Sequence, residues 1–154
     1  MEDNSMIAIG SDHGGYDLKQ EILKYLKENN MEYKDFGCYG KDSCDYPAFG
    51  QAVAKAVASG ECERGIVVCT TGIGISITAN KVRGVRCALC SDTLSAKLTR
   101  EHNDANVLAL GGGIVGTSLG LAIVDTFLNT TFPGEEKHRR RVAAIRTLEE
   151  ETMK

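Results

Sequence analysis

The sequence alternates short apolar runs with longer segments of helical spacing along nearly its whole length. The apolar runs predict strands at residues 6–9, 31–36, 66–69, 86–90 and 107–110. Each run is followed by a segment long enough for a helix, and strands joined through helices lie parallel in one sheet. Because a parallel sheet needs helices on both faces, the alternation predicts a Rossmann-like three-layer α/β/α sandwich.

The segments between the strands carry apolar residues three and four positions apart. In residues 16–28 these are Leu18, Ile22, Leu23 and Leu26. Further helices are predicted at residues 48–58, near 75–81, and at 92–102, 115–128 and about 135–152. Residues 37–47 form a turn-rich connection that ends in Asp45, Tyr46 and Pro47. We expect one domain covering residues 1–154.

The composition argues against two kinds of partner. A net charge of −3 disfavours general nucleic-acid binding, which requires a broad basic face. The longest apolar runs fall well short of the roughly 20 residues that a membrane span needs. The N-terminal sequence MEDNSMIAIG is acidic rather than signal-like. We therefore expect a cytoplasmic protein with neither a nucleic-acid nor a membrane partner.

The chain contains six cysteines, and with no secretory signal these are expected to be reduced thiols. Cys87 and Cys90 form a CxxC, but they lie in a predicted strand, where residues three apart point to opposite faces. They are therefore poorly placed to chelate one metal ion, and Cys38 and Cys44 have no partner motif of suitable spacing. We expect no metal site.

Residues 65–76, GIVVCTTGIGIS, join an apolar strand to a glycine-containing loop through Cys69. In an α/β protein such a loop lies at the carboxyl end of a strand, where ligands bind. Residues 66–80 contain no Asp, Glu or His, so Cys69 is the first candidate for a base in this loop.

The loop TTGIGIS fits neither common phosphate-binding motif. It has the G-x-G pair but lacks the third glycine of a dinucleotide fingerprint, and it has no GK[ST] ending. What remains is a group of backbone N–H groups at a helix start, which is suited to an enediolate oxygen or a phosphate.

Polar residues form four clusters along the chain. Asp12 and His13 follow the first strand, Cys69 and Thr71 follow the central one, and HND at 102–104 precedes the last strand, while KHRRR at 137–141 opens the last helix. Because loops after parallel strands share one edge, the first two clusters are expected to share a crevice. The third lies at the opposite edge. We therefore expect a dimer in which His102 of one chain approaches Cys69 of the other.

Each cluster also has a purely structural interpretation. Asp12 could cap the following helix, His13 could be a solvated loop residue, and His102 could complement a helix dipole. Cys69 could be buried packing, and residues 137–141 could be a solvated helix face.

One pair within the basic run favours a binding role. Lys137 and Arg141 are four residues apart and share a helical face, which suits a phosphate clamp.

Five separated motifs together resemble ribose-5-phosphate isomerase type B, in the family that also includes galactose-6-phosphate isomerase subunits. They are GSDHGGYDLK, DYP at 45–47, GIVVCTTGIGISITANKVRGVR, REHNDANVLALGGG and HRRRVAAI, and the likeness runs from residue 6 to about 145. The resemblance implies an aldose–ketose isomerase that needs no metal or other cofactor and acts on a phosphorylated sugar. It also implies a homodimer or homotetramer with shared active sites, in which the C-terminal helix reaches a neighbouring subunit.

The resemblance also implies catalytic roles. Cys69 would take the C2 proton of the open-chain sugar and return it at C1, through an enediolate. Asp12 and His102 would assist opening of the sugar ring. Thr71 would help to move a proton between the C1 and C2 oxygens.

Further residues would bind the substrate by the same resemblance. The backbone of residues 71–74 and the side chain of Asn103 would hold the oxyanion, while the phosphate would lie near His13 and the basic helix. The full set of implied substrate-binding residues is His13, Tyr46, Gly72, Ile73, Gly74, Asn103, Lys137 and Arg141.

The chain departs from the family pattern at three positions. Gly113 and Lys137 stand where many relatives have arginine, and Thr70 stands where they commonly have glycine. Lysine gives a point charge rather than a bidentate fork, and Arg139 or Arg140 could compensate. These departures leave two alternatives to ribose 5-phosphate isomerisation: isomerisation of a six-carbon sugar phosphate such as allose or galactose 6-phosphate, and non-catalytic binding of a sugar phosphate.

Overall fold

The computed structural model describes residues 5–153, and it contains all five predicted strands and all six predicted helices. The strands are β1 (Ile7–Ser11), β2 (Tyr33–Asp35), β3 (Arg64–Cys69), β4 (Cys87–Leu89) and β5 (Val107–Gly111). The helices are α1 (Tyr16–Glu28), α2 (Tyr46–Ala58), α3 (Ile73–Ala79), α4 (Thr93–Asn103), α5 (Thr117–Asn129) and α6 (Glu136–Thr152). A 3-10 turn at His13–Gly15 precedes α1.

The strands form one parallel sheet in the order β2-β1-β3-β5-β4. Every residue of β1, β3 and β5 is buried, because helices cover both faces of the sheet. One core contains side chains of α1, α4 and α5, and the other contains side chains of α2 and α3. The predicted three-layer sandwich is therefore confirmed.

Side chains of one strand alternate between the two cores, as the period of a strand requires. Ile66 and Val68 of β3 lie in the first core, whereas Val67 and Cys69 lie in the second. Cys87 packs against the second core and Cys90 lies in the first. The prediction that these two thiols point to opposite faces is thus confirmed. Burial, together with the charge of Asp92, raises the pKa of Cys90 to about 11.

The helix α2 begins at Tyr46, two residues earlier than the sequence indicated. The predicted turn at residues 45–47 is therefore wrong for Tyr46 and Pro47, which occupy the first turn of the helix. Proline is favoured there because its fixed φ suits a helix and its missing N–H leaves no bond unmade. Tyr46 is consequently held on a helix rather than on a loop.

The helix α6 lies outside both cores and packs on α4. It buries His138 and Val142 but leaves Ile145 and Leu148 largely exposed. No helix within residues 5–153 is long and apolar enough to cross a membrane.

Candidate active site

A crevice of about 470 Å³ lies at the carboxyl edge of the sheet, where the loops after β1 and β3 meet the start of α2. Its lining residues are Asp12, Tyr46, Cys69, Thr70, Thr71, Ile73, Gly74 and Ile77. The sequence placed the Asp12 and Cys69 clusters at one edge, and the structure brings both into this crevice. Ligands of open parallel sheets bind at this edge.

Two backbone hydrogen bonds hold the loop after β5 against the loop after β3. The Gly112 N–H donates to the Cys69 carbonyl at 2.8 Å, and the Gly113 N–H donates to the Thr70 carbonyl at 2.8 Å. The position of residue 69 is therefore fixed by its own strand and by the neighbouring strand.

Cys69 is the last residue of β3 and is 4% exposed. Its Sγ accepts a hydrogen bond from the Gly72 N–H at 3.1 Å. Gly72 has φ +78, and a Cβ there would lie 2.5 Å from Leu89 Cδ1 and 2.8 Å from the Leu110 backbone, so this turn requires glycine. The Gly72 amide is thus directed at the sulfur and holds it at the end of β3.

The loop uses a second amide internally. The Ile73 N–H donates to Thr71 Oγ at 3.2 Å, which orients the Thr71 hydroxyl at the exposed side of the crevice. The sequence suggested that the amides of residues 71–74 could together hold an oxyanion. Because Gly72 and Ile73 already donate within the loop, the amides of Thr71 and Gly74 are the two of these four that are left for a ligand in the part of the chain that the structure describes.

Tyr46 lies directly over Gly74. A Cβ at residue 74 would be 2.5 Å from the Tyr46 ring and 2.7 Å from its hydroxyl, so any side chain there would displace the ring. Tyr46 is 38% exposed and lines the crevice. The phenol therefore forms one wall of the site.

Asp12 is 5% exposed and caps the 3-10 turn that follows it. Its Oδ1 accepts from the Gly15 N–H at 3.1 Å, so Asp12 is a cap, although of this turn rather than of α1, whose N-cap is Gly15. The other carboxylate oxygen, Oδ2, has no hydrogen-bond partner among the described residues. One carboxylate can therefore hold the turn and also face a ligand in the crevice.

His13 is exposed and is oriented by the loop before α2. The Cys44 N–H donates to His13 Nδ1 at 3.2 Å, and the Cys44 Sγ lies 3.9 Å from the same atom. Because Nδ1 accepts, a neutral ring carries its proton on Nε2. His13 can thus donate from Nε2 to an anion at the mouth of the crevice.

A buried lysine anchors the loop that orients His13. Lys19 is completely buried, and its Nζ donates to both oxygens of Asp35 at 2.8 and 2.9 Å and to the Cys38 carbonyl at 2.5 Å. These bonds join α1 to the end of β2 and to the loop. Lys19 was not predicted from the sequence, although it lies three residues before Ile22 and four before Leu23, on the apolar face of α1.

The remaining predicted residues lie elsewhere. The His102 ring stacks on the His138 ring, with centroids 4.3 Å apart and planes 14° apart, where the last turn of α4 meets the first turn of α6. Burial and the positive charges of His102 and Lys137 lower the pKa of His138. The stacked rings lie at the amino edge of the sheet, whereas the crevice lies at the carboxyl edge. The two edges are separated by the length of β5, about 13 Å at roughly 3.3 Å per residue.

Three more of the predicted site residues, Asn103, Lys137 and Arg141, lie on the same two helices as His102 and His138. Asn103 ends α4 and lines a groove beside α6, and Lys137 and Arg141 lie on α6 itself. None of them lines the crevice that holds Cys69 in the described part of the chain. His138 was not selected from the sequence as a site residue, and its stacking partner could be found only from the packing of α6 on α4.

Comparison with known proteins gives one family. A family model described as Ribose/Galactose Isomerase matches residues 7–145. The chain is 46% identical to ribose-5-phosphate isomerase B of Escherichia coli, over 94% of this chain and 96% of that protein. It is 41% identical to galactose-6-phosphate isomerase subunit LacB of Clostridium acetobutylicum, over 91% and 81%. The structure of Clostridium thermocellum ribose-5-phosphate isomerase B superposes with a TM-score of 0.93 at 55% identity, covering 95% of this chain and 98% of that one.

Proposed function

The chain belongs to the ribose/galactose isomerase family, and on that premise we propose that it interconverts ribose 5-phosphate and ribulose 5-phosphate with Cys69 as the base. The observation that carries the proposal is the crevice, in which the Cys69 thiol, the Asp12 carboxylate and the Thr71 hydroxyl line one cavity. Isomerisation needs a base, a polar pocket for an oxyanion and a group that moves a proton between two oxygens.

In the proposed reaction the Cys69 thiolate removes the proton from C2 of the open-chain aldose. The electron pair forms the C1–C2 double bond of an enediolate, and the thiol then returns the proton to C1. The hydrogen bond from the Gly72 amide supports this role because it holds the sulfur in a fixed position at the end of β3. Thr71 moves the second proton between the C1 and C2 oxygens, with its hydroxyl already oriented by the Ile73 amide.

The developing oxyanion is held by the amides of Thr71 and Gly74. Gly72 and Ile73 contribute by shaping the loop, since their own amides are already used. Asp12 assists ring opening through Oδ2, and Tyr46 closes the crevice over Gly74.

We further propose that a second copy of the chain completes the site. His102 would act with Asp12 in ring opening, and Asn103 would contribute to the oxyanion pocket. Lys137 and Arg141 would join His13 at the substrate phosphate. None of these four residues lines the crevice of its own chain, and His102 lies about 13 Å along the sheet from that crevice at roughly 3.3 Å per residue. Both facts support a site shared in a homodimer or homotetramer.

Exposed apolar side chains support the same arrangement. Ile73 and Ile77 at the rim of the crevice are 52% and 55% exposed, and Leu89 beside them is 44% exposed. Ile145 and Leu148 on α6 are 43% and 59% exposed. Large apolar side chains clustered on a surface mark interaction sites, and α6 would reach across such an interface.

The identity of the sugar depends on the phosphate end of the crevice. A Cβ at Gly113 would lie 3.1 Å from the Thr70 carbonyl oxygen and 3.2 Å from Thr70 Cγ2, so Thr70 occupies the space beside residue 113. The likeness to a galactose-6-phosphate isomerase subunit makes a six-carbon sugar phosphate the second candidate substrate.

A panel of substrates tests the proposal. The purified chain should convert ribose 5-phosphate with a higher kcat/KM than allose 6-phosphate or galactose 6-phosphate, and EDTA should leave the rate unchanged. A higher kcat/KM for a six-carbon sugar would transfer the assignment to that sugar. Absence of turnover on all three, with binding retained, would leave a sugar-phosphate binding protein.

A further inference from the structure

A second polar cavity, of about 280 Å³, lies at the amino edge of the sheet. Four arginines, Arg64, Arg86, Arg100 and Arg146, line it together with the carboxylates Glu63 and Asp104. We refer to this cavity as the arginine pocket. Arg64 begins β3, whose last residue is Cys69, so about 16 Å of strand separates the pocket from the crevice at roughly 3.3 Å per residue.

Three of these arginines are taken largely out of water. Arg64 is 9% exposed and Arg100 is 5% exposed, and the side chain of Arg86 is 12% exposed. A buried charge is costly unless it is paired and hydrogen-bonded. The question is therefore whether the protein's own groups satisfy the hydrogen bonds and the charge of each guanidinium group.

Several hydrogen bonds of Arg64 and Arg100 go to backbone carbonyls at or just after the ends of α4 and α5. Arg64 Nη1 donates to the Phe127 and Leu128 carbonyls at 2.7 and 3.1 Å. Arg100 donates from Nε to the Thr130 carbonyl at 3.0 Å and from Nη1 to the Ala105 carbonyl at 2.6 Å. These bonds leave Arg64 Nε and Nη2, and Arg100 Nη2, without a partner among residues 5–153.

The carboxylates do not balance the charge. Asp104 pairs with Arg100 at 2.9 Å and with Arg86 at 3.6 Å, so one carboxylate serves two guanidinium groups. Burial and then the charge of Arg100 lower the pKa of Arg64, and burial lowers the pKa of Arg86. Glu149 of α6, which lies outside the lining, accepts from the Gly84 amide, and its charge partly offsets the effect of burial on the pKa of Arg86. The lining itself, with four arginines and two carboxylates, has a formal net charge of +2.

We propose that the arginine pocket is a second anion site, which binds a dianion of the phosphate class at the amino edge of the sheet. Two negative charges match the excess positive charge of the lining. A tetrahedral dianion also presents several acceptor oxygens to the unpartnered N–H groups of Arg64 and Arg100. It can reach Nη1 of Arg86 as well, whose Nε and Nη2 donate to the Asn103 and Asp104 carbonyls at 2.9 and 2.8 Å. Arg146, which is exposed and makes no hydrogen bond among residues 5–153, supplies the fourth charge from α6. The anion is either inorganic phosphate or the phosphate group of a sugar phosphate.

Titration with inorganic phosphate at constant ionic strength tests the proposal, observed through the backbone amide and arginine Nε–H signals in ¹⁵N-correlated NMR spectra. The Nε–H signal of Arg64 should move in the wild type and in His13→Ala, which separates this site from the crevice. Arg146→Gln should require about 10-fold more phosphate for the same movement, since one charge-assisted contact is lost. Lys97→Ala removes a positive charge from an exposed position on α4 and should behave as wild type.

Two results would overturn the proposal. The first is that the amide signals of the crevice move while the arginine signals stay fixed. The arginines would then serve only to bind the carbonyls at the ends of α4 and α5. The second is that Arg146→Gln and wild type titrate alike. Because Arg146 is exposed, the melting temperature of Arg146→Gln in chloride should match that of wild type, which checks folding. A parallel titration of Cys69→Ala with ribose 5-phosphate distinguishes the two sources of phosphate without turnover.

Neither outcome depends on isomerase activity. Phosphate binding at the arginines can succeed if ribose 5-phosphate is not a substrate, and it can fail while the isomerase assignment stands.

Discussion

A mixture of two inactive variants should recover activity if the site is shared between chains. The variants are Cys69→Ala, which removes the proposed base, and His102→Ala, which removes a ring-opening group. Cys69 ends β3 at the carboxyl edge, whereas His102 stacks on His138 at the amino edge. The separation of about 13 Å along β5 is too large for both to contact one five-carbon sugar within a single chain.

The expected recovery follows from counting sites. Random exchange between equal amounts of the two variants makes half of the dimers mixed. Each mixed dimer has one site that combines the intact Cys69 of one chain with the intact His102 of the other, and one site that lacks both. Roughly a quarter of the wild-type activity should therefore appear in the mixture.

The assay measures ketose formation from ribose 5-phosphate before and after subunit exchange in mild denaturant. Cys69→Ala mixed with Asp12→Ala is the matched control, because both residues line the crevice of the same chain and every mixed site lacks one of them. That mixture should stay inactive. Equal recovery of activity in both mixtures would refute the shared site. So would the absence of activity in the mixture of Cys69→Ala with His102→Ala, if mass spectrometry shows that mixed dimers have formed.

Three further substitutions test individual parts of the account. Arg141→Ala should raise the KM for ribose 5-phosphate about 10-fold or more while barely changing the poor use of unphosphorylated ribose, and an unchanged KM would make α6 a solvated face. Gly113→Arg should tighten phosphate binding more when it is combined with Thr70→Gly, because a Cβ at 113 would lie 3.2 Å from Thr70 Cγ2, which glycine lacks; equal tightening by the single variant would contradict this crowding. Lys19→Met should lower the free energy of unfolding by about 3–5 kcal/mol in urea titrations by leaving Asp35 unpaired, and Asp35→Leu should restore much of that loss; no restoration would contradict the pairing.

The sequence was sufficient for the sheet and for the position of the crevice. Runs of four to six residues locate all five strands. The central strands β1, β3 and β5 are buried throughout and are therefore largely apolar, whereas the edge strands β2 and β4 are partly exposed. The meeting of Asp12 with Cys69 follows from the parallel sheet, because Asp12 directly follows β1 and Cys69 ends the neighbouring strand β3.

Contacts between distant elements could not be predicted in the same way. Pro47 signals a turn and a first helical turn equally well, so the start of α2 at Tyr46 was missed. Lys19 pairs with Asp35, 16 positions away, and His102 stacks on His138 of a helix that joins neither core. The engagement of the Gly72 and Ile73 amides depends on side-chain positions within the loop.

The most direct test of the account follows deuterium from C2 of ribose 5-phosphate. With [2-²H]ribose 5-phosphate in ordinary water, the wild type should form ribulose 5-phosphate and release deuterium to solvent or transfer it to C1. Cys69→Ala should still bind the sugar phosphate but should lose roughly 100-fold or more in kcat, with deuterium retained at C2. A Cys69→Ala enzyme that keeps more than about a tenth of the wild-type kcat and still removes the deuterium would show that another group is the base.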